Sequence, residues 1–193
     1  MKETLAKVLS LLFGFPLIVF LMSYGIILSK MDLSKTIIMF VLLGIFELLI
    51  PLLVLIVLFK KNVITDMDVA KRSERVLPFL IITICFSVAV LLSRQFGNAF
   101  LFNYQLILFM TVLASFAITL FWKISLHTGI TTVTIVFLTV FSGVYFLPVT
   151  GILPAIYWAR FHLKRHTHSQ LIAGVMVNVA ITVLLLRFFG YVK

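Results

Sequence analysis

Long apolar runs separated by short charged stretches set the pattern of this chain. The runs lie near residues 8–29, 36–59, 77–93, 98–121 and 169–190. A helix needs about 20 apolar residues to cross a hydrocarbon core, because it rises about 1.5 Å per residue and satisfies its own backbone hydrogen bonds. Each run therefore predicts a transmembrane helix. Two shorter apolar stretches, TGITTVTIVFLTVF and PVTGILPAIYWA, lie between residues 128 and 159 and are hinged around Ser142, Gly143, Pro148 and Gly151, residue types that punctuate helices. Counted as two short spans, they complete an all-α, polytopic transmembrane helical bundle of about six to seven helices.

The count decides which loops share a face of the membrane. If 128–159 is a helical hairpin, the segments around 60–76, 123–127 and 160–168 emerge on the side of the N-terminus. That face then carries Lys60, Lys61, Lys71, Arg72, Arg75, Lys123, Arg160, Lys164, Arg165 and all four histidines. As one span, the same stretch would divide these groups between opposite faces. No internal repeat, linker or low-complexity tract interrupts the chain, so 1–193 reads as a single integral membrane domain.

Composition sharpens this picture. The chain is 63% hydrophobic and 11% charged, against about 45–50% apolar residues in soluble domains, so the expectation is a multi-pass protein of the cell membrane. Sixteen Lys and Arg against six Asp and Glu leave a net charge of +10. With no long polar surface to present that charge, nucleic acid is excluded, and membrane lipids or a phosphorylated lipid become the expected partners. The basic N-terminus precedes an apolar stretch too long for a signal-peptide core, with no A-x-A-like cleavage site, and reads as a retained first span. Cys85 is the single cysteine; it lies inside an apolar run, forms no intrachain disulfide and reads as packing.

Three polar clusters carry the chemistry. In ITDMDVAKRSERVLPF, Asp68, Lys71, Arg72 and Arg75 would share one face if the segment were helical. Such a basic stripe suits an anion or lipid headgroups. In WKISLHTG, Lys123, Ser125 and His127 place a cation, a hydroxyl and a titratable ring at one membrane interface, and histidine can serve as general acid or base near neutral pH. In ARFHLKRHTHSQLIAG, Arg160, His166 and Gln170 are separated by six and four positions. If the segment is helical up to Gln170, the His166 ring and the Gln170 amide lie one above the other, so that the amide can orient the ring. His162, His166 and His168 also invite a metal reading, since imidazoles are favoured zinc and iron ligands.

Taken in order, the clusters resemble the three motifs of the type 2 phosphatidic acid phosphatase superfamily, K-x6-R-P, P-S-G-H and S-R-x5-H-x3-D, over roughly residues 60 to 190. Arg160 and His166 keep the spacing of the third motif, and Ser125 and His127 keep the second, with Ile124 and Leu126 in place of its proline and glycine. In the first, Arg75 is kept, whereas Asp68 stands at the lysine position and Val76 at the proline position; Lys71 can substitute for the lysine. The resemblance implies that His166 attacks phosphorus to form a phosphohistidine and that His127 protonates the leaving oxygen. Arg75, Arg160, Ser125 and Lys71, with Arg72 and Lys123 nearby, would bind phosphoryl oxygens. It implies no metal and no other cofactor. Gln170 replaces the motif's aspartate, and an amide can orient the ring without adding negative charge.

The expected function is hydrolysis of a lipid-linked phosphate or diphosphate, such as a polyprenyl diphosphate, phosphatidate or phosphatidylglycerophosphate. The alternative is a catalytically degenerate family member that binds phospholipid or acts as a scaffold. A desaturase-like oxygenase needs more histidines than four, and a prenyltransferase needs more acidic motifs than Asp66 and Asp68 supply. Glu47, mid-span in GIFELLIP, is expensive in a membrane unless paired; Asn178 is its expected structural partner. Trp122 and Trp158 read as interfacial anchors.

Overall fold

The computed structural model describes residues 2–12, 24–25, 32–95 and 99–193. Among these residues all regular secondary structure is helical. The helices are α1 (Lys2–Leu12), α2 (Leu33–Gly44), α3 (Ile50–Lys60), α4 (Val76–Gln95), α5 (Ala99–Phe121), α6 (Leu126–Ser142), α7 (Ile152–His162) and α8 (His168–Phe188). Four described stretches are long and apolar enough to cross a membrane: Lys35–Lys60, Ser73–Gln95, Ala99–Phe121 and His168–Phe188. Leu126–Phe141 is a shorter apolar helix. The first span expected near 8–29 lies mostly outside the described residues.

The chain forms two compact units, Met1–Tyr24 with Ile124–Lys193, and Gly25–Lys123. In the second unit α4 and α5 pack along each other, and a π-helical turn, Ile45–Leu49, joins α2 to α3 and packs on α4. Pro51 explains that turn. It sits in the first turn of α3, has no N–H to give the carbonyl four residues back, and its ring clashes with that carbonyl. The wider turn relieves the clash, and Ile50 N–H donates to Ile45 O, five residues back. Glu47, only 5% exposed, lies within this turn.

In the first unit α6 packs along α8 and α1 along α7. Small residues let the first pair approach. A side chain on Gly174 would put Cβ 2.6 Å from the Ser125 carbonyl oxygen and 2.5 Å from Thr128 Oγ1. Backbones in membrane proteins come this close where small residues line the interface. Polar atoms then bridge the two helices: Ser125 N–H donates to Gln170 O at 3.2 Å, and Thr128 Oγ1 donates to Leu171 O at 3.2 Å. Asn178 Nδ2 donates to Gly174 O within its own helix at 2.7 Å.

Several buried threonine hydroxyls elsewhere are satisfied within their own helix. Thr83, Thr111, Thr119 and Thr132 each donate to a carbonyl three or four residues back, at 2.7 Å. Such bonds keep a polar atom satisfied in apolar surroundings without a partner helix. Helix α1 differs from the apolar helices. Its Ala6 and Ser10 are buried, while Glu3 and Lys7 pair at 2.8 Å on the exposed side. That hydrogen-bonded ammonium holds the Glu3 carboxyl below its ordinary range.

Gly174→Ala is expected to lower stability by about 1–3 kcal/mol, the usual cost of overpacking, because a backbone carbonyl blocks the new methyl. Gly129→Ala meets only the end of the Asn178 side chain, whose Nδ2 stands 2.5 Å away, and should cost less. Thermal unfolding in detergent checks the order; an unchanged midpoint for Gly174→Ala contradicts it.

Candidate functional site

Segment 160–170 is built from two helix ends set back to back. Helix α7 stops in a Schellman turn. Lys164 takes a left-handed conformation (φ 54°), its N–H donates to Phe161 O at 2.9 Å, and Arg165 N–H donates to Arg160 O at 3.0 Å. These two bonds satisfy carbonyls that a helix end otherwise leaves without partners. Helix α8 then starts in a capping box. Gln170 N–H donates to Thr167 Oγ1 at 3.4 Å, and Thr167 N–H donates to Gln170 Oε1 at 3.2 Å. The sequence T-x-x-Q is the pattern for this device.

A continuous helix through Gln170, the condition on which His166 and Gln170 were expected to stack, is therefore absent. His166 lies two residues before α8, just ahead of its N-cap Thr167, yet its Nδ1 is 3.2 Å from Gln170 Oε1. The i, i+4 contact arises because the capping amide folds back past Thr167 to the residue before it. The break also separates His162, in the last turn of α7, from His166.

This geometry fixes the proton on the ring. Thr167 N–H points at Gln170 Oε1, so that atom is the amide oxygen, an acceptor. Nδ1 of His166 must then be the donor, and in the neutral ring Nε2 holds the lone pair. The ring is 5% exposed. Arg160, on the last turn of α7, is 1% exposed, and its Nη1 donates to Ser10 Oγ of α1 at 2.7 Å.

Ser125, also 1% exposed, is the N-cap of α6 and accepts from Thr128 N–H at 3.4 Å. Because Ser125 N–H binds the Gln170 carbonyl, the start of α6 is tied to the residue that holds His166. His127 is half-buried in the first turn of α6. Within the first unit the structure thus brings Ser125, Gln170 and His166 into one bonded chain, with Arg160 on the helix just before it.

The remaining histidines are engaged by aromatic rings. His168 Nδ1 lies 2.7 Å from Tyr157 Oη, and its ring stacks on Phe161 with centroids 3.8 Å apart. His162 stacks on Trp158 at 5.1 Å. Among the described residues no group of three or more His, Cys, Asp or Glu side chains is arranged to hold a metal.

The first cluster belongs to the second unit, and its expected helical stripe does not form. Asp68 N–H donates to Asp66 Oδ1 at 2.9 Å and Val69 N–H to Asp66 O at 2.8 Å, with Val69 left-handed (φ 48°). This Asx turn competes with helix and wins; only Ser73–Arg75 make a short 3₁₀ turn. Arg75 is buried, 4% exposed, and its Nε donates to Val69 O at 2.8 Å. Arg72 Nη1 donates to Thr119 O and Leu120 O, the last-turn carbonyls of α5, where a cation also suits the helix dipole. Lys71 pairs with Glu74 at 3.2 Å. Lys123 is half-buried beyond α5.

Sequence reasoning passed over Thr167, Thr128 and Ser10. The T-x-x-Q pattern before an apolar run was a sufficient signal for Thr167. Thr128 and Ser10 act across 43 and 150 residues, and no local pattern announces such contacts. No protein-family model matches the chain, and no curated protein or solved structure is significantly similar to it.

Nitrogen NMR of histidine-labelled protein is expected to show His166 as the Nδ1–H tautomer. Gln170→Leu removes the acceptor and should shift the ring toward the opposite tautomer. A parent spectrum with the proton on Nε2 contradicts the assignment.

Proposed function

We propose that the chain is a divergent member of the type 2 phosphatidic acid phosphatase superfamily, a multi-pass cell-membrane protein of about six to seven spans. In this reading it hydrolyses a lipid-linked phosphate or diphosphate. One observation carries the reading: the His166 ring is held through Nδ1 by Gln170, with its nucleophilic nitrogen on the other side, one short turn after the buried Arg160.

The chemistry follows from those groups. The Nε2 lone pair attacks phosphorus, the bond from phosphorus to the lipid oxygen breaks, and His127 gives that oxygen a proton. Water then attacks the phosphohistidine with His127 as base, releasing phosphate and restoring the ring. Arg160 and the Ser125 hydroxyl would bind phosphoryl oxygens, where preorganised donors away from water stabilise developing charge best.

Gln170 shapes the rate. An amide oxygen selects the productive tautomer but does not offset the positive charge that the ring acquires. A second reading draws on the same residue: the capping box accounts for Gln170 without any catalysis, as expected in a degenerate member that binds phospholipid or acts as a scaffold.

Phosphate release from phosphatidate, phosphatidylglycerophosphate and a polyprenyl diphosphate separates the two. His166→Ala is expected to lower kcat by about 10³-fold or more. Gln170→Glu keeps the capping box and supplies the absent charge, so kcat should rise, by about tenfold if it regains 1.4 kcal/mol. If the parent releases no phosphate from any of the three, or His166→Ala matches it, the scaffold reading replaces the phosphatase.

A further inference from the structure

We infer that Ser10 of the N-terminal helix is a positioning residue for Arg160, and so sets how tightly a phosphoryl group is held. The inference rests on the reading of Arg160 as a phosphoryl ligand. Helix α1 carries none of the motif residues. Of its described side chains, Ala6 and Ser10 are the buried ones, four residues apart and therefore on one face, and α1 packs on α7.

At that contact stands a hydroxyl. Ser10 Oγ accepts from Arg160 Nη1 at 2.7 Å, with Ser10 8% and Arg160 1% exposed. Helix packing alone asks only for a small residue at position 10, as Ala6 shows one turn earlier. The hydroxyl adds a direction. A guanidinium is a rigid plane whose five N–H donors hold fixed angles to one another, so fixing Nη1 aims the rest. The main chain that carries this side chain is fixed as well: the Arg160 carbonyl oxygen accepts from Arg165 N–H in the turn that leads to His166. Ser10 and the Schellman turn therefore hold Arg160 from both ends. A long, flexible cation becomes a preorganised one, which lowers the ordering cost of binding an anion.

The test measures binding of orthovanadate, a phosphate analogue, to the purified full-length chain in detergent by titration calorimetry. The deciding pair is Ser10→Thr and Ser10→Val, which match each other in shape and differ in the hydroxyl. Ser10→Thr should bind within about threefold of the parent, and Ser10→Val about tenfold more weakly, near the low end for one hydrogen bond to a charged group. In an Arg160→Ala background the difference between Thr and Val should vanish, because the hydroxyl acts only through Arg160. Equal affinities for Ser10→Thr and Ser10→Val, with Arg160→Ala weakened, overturn the inference and leave the reading of Arg160 standing. A parent that binds no orthovanadate, or an Arg160→Ala variant that binds like the parent, overturns both.

Discussion

The amide oxygen of Gln170 accepts from two donors, and much of the first unit follows from which two they are. One is the Thr167 backbone N–H, which would otherwise have no partner at the start of a helix. The other is the His166 ring. A helix end and a side-chain orientation therefore share one atom, so the amide cannot leave the cap without also releasing the ring. The Gln170 main chain adds a third tie, since its carbonyl receives Ser125 N–H from α6. In a chain this apolar such sharing is economical. Each polar group drawn away from water needs a protein partner, and one residue here answers for three donors.

The same requirement explains how the helices of that unit meet. Gly174 lets the start of α6 come within reach of the α8 backbone, and Thr128 Oγ1 spans the gap to Leu171 O. Removing the side chain at one position makes the polar bridges possible at the next. Hydrocarbon gives helices little apolar reason to associate, so close approach and hydrogen bonds carry the pairing. Thr83, Thr111, Thr119 and Thr132 instead turn their hydroxyls back on their own helix.

Much of the architecture was legible because length and apolarity are properties of single segments. The runs at 36–59, 77–93, 98–121 and 169–190 emerge as helices within a few residues of those bounds, and the hinge at Gly143 separates α6 from α7. The spacing of Arg160, His166 and Gln170 pointed to a His166–Gln170 contact, and that contact is present for a different reason than helical periodicity. The break was hidden because Lys164 gives no warning of a left-handed conformation, a role that glycine more often fills. Val69 hid the turn in the first loop in the same way. Ser10 was invisible because its partner lies 150 positions away.

The π-turn at Glu47 has a consequence for how the second unit keeps a straight face. Met39, Leu43, Glu47 and Pro51 are all buried and recur every four residues. On an unbroken α-helix each step of four overshoots a full turn by about 40°, so the fourth residue would stand about 120° from the first. The one residue inserted by the π-turn rotates the following helix back by about 100°. The two rotations nearly cancel, and four residues that would spiral off the interface form a line along it. The irregularity forced by Pro51 is thus what lets a period of four serve as a packing edge, with the one acid of the span set at its middle.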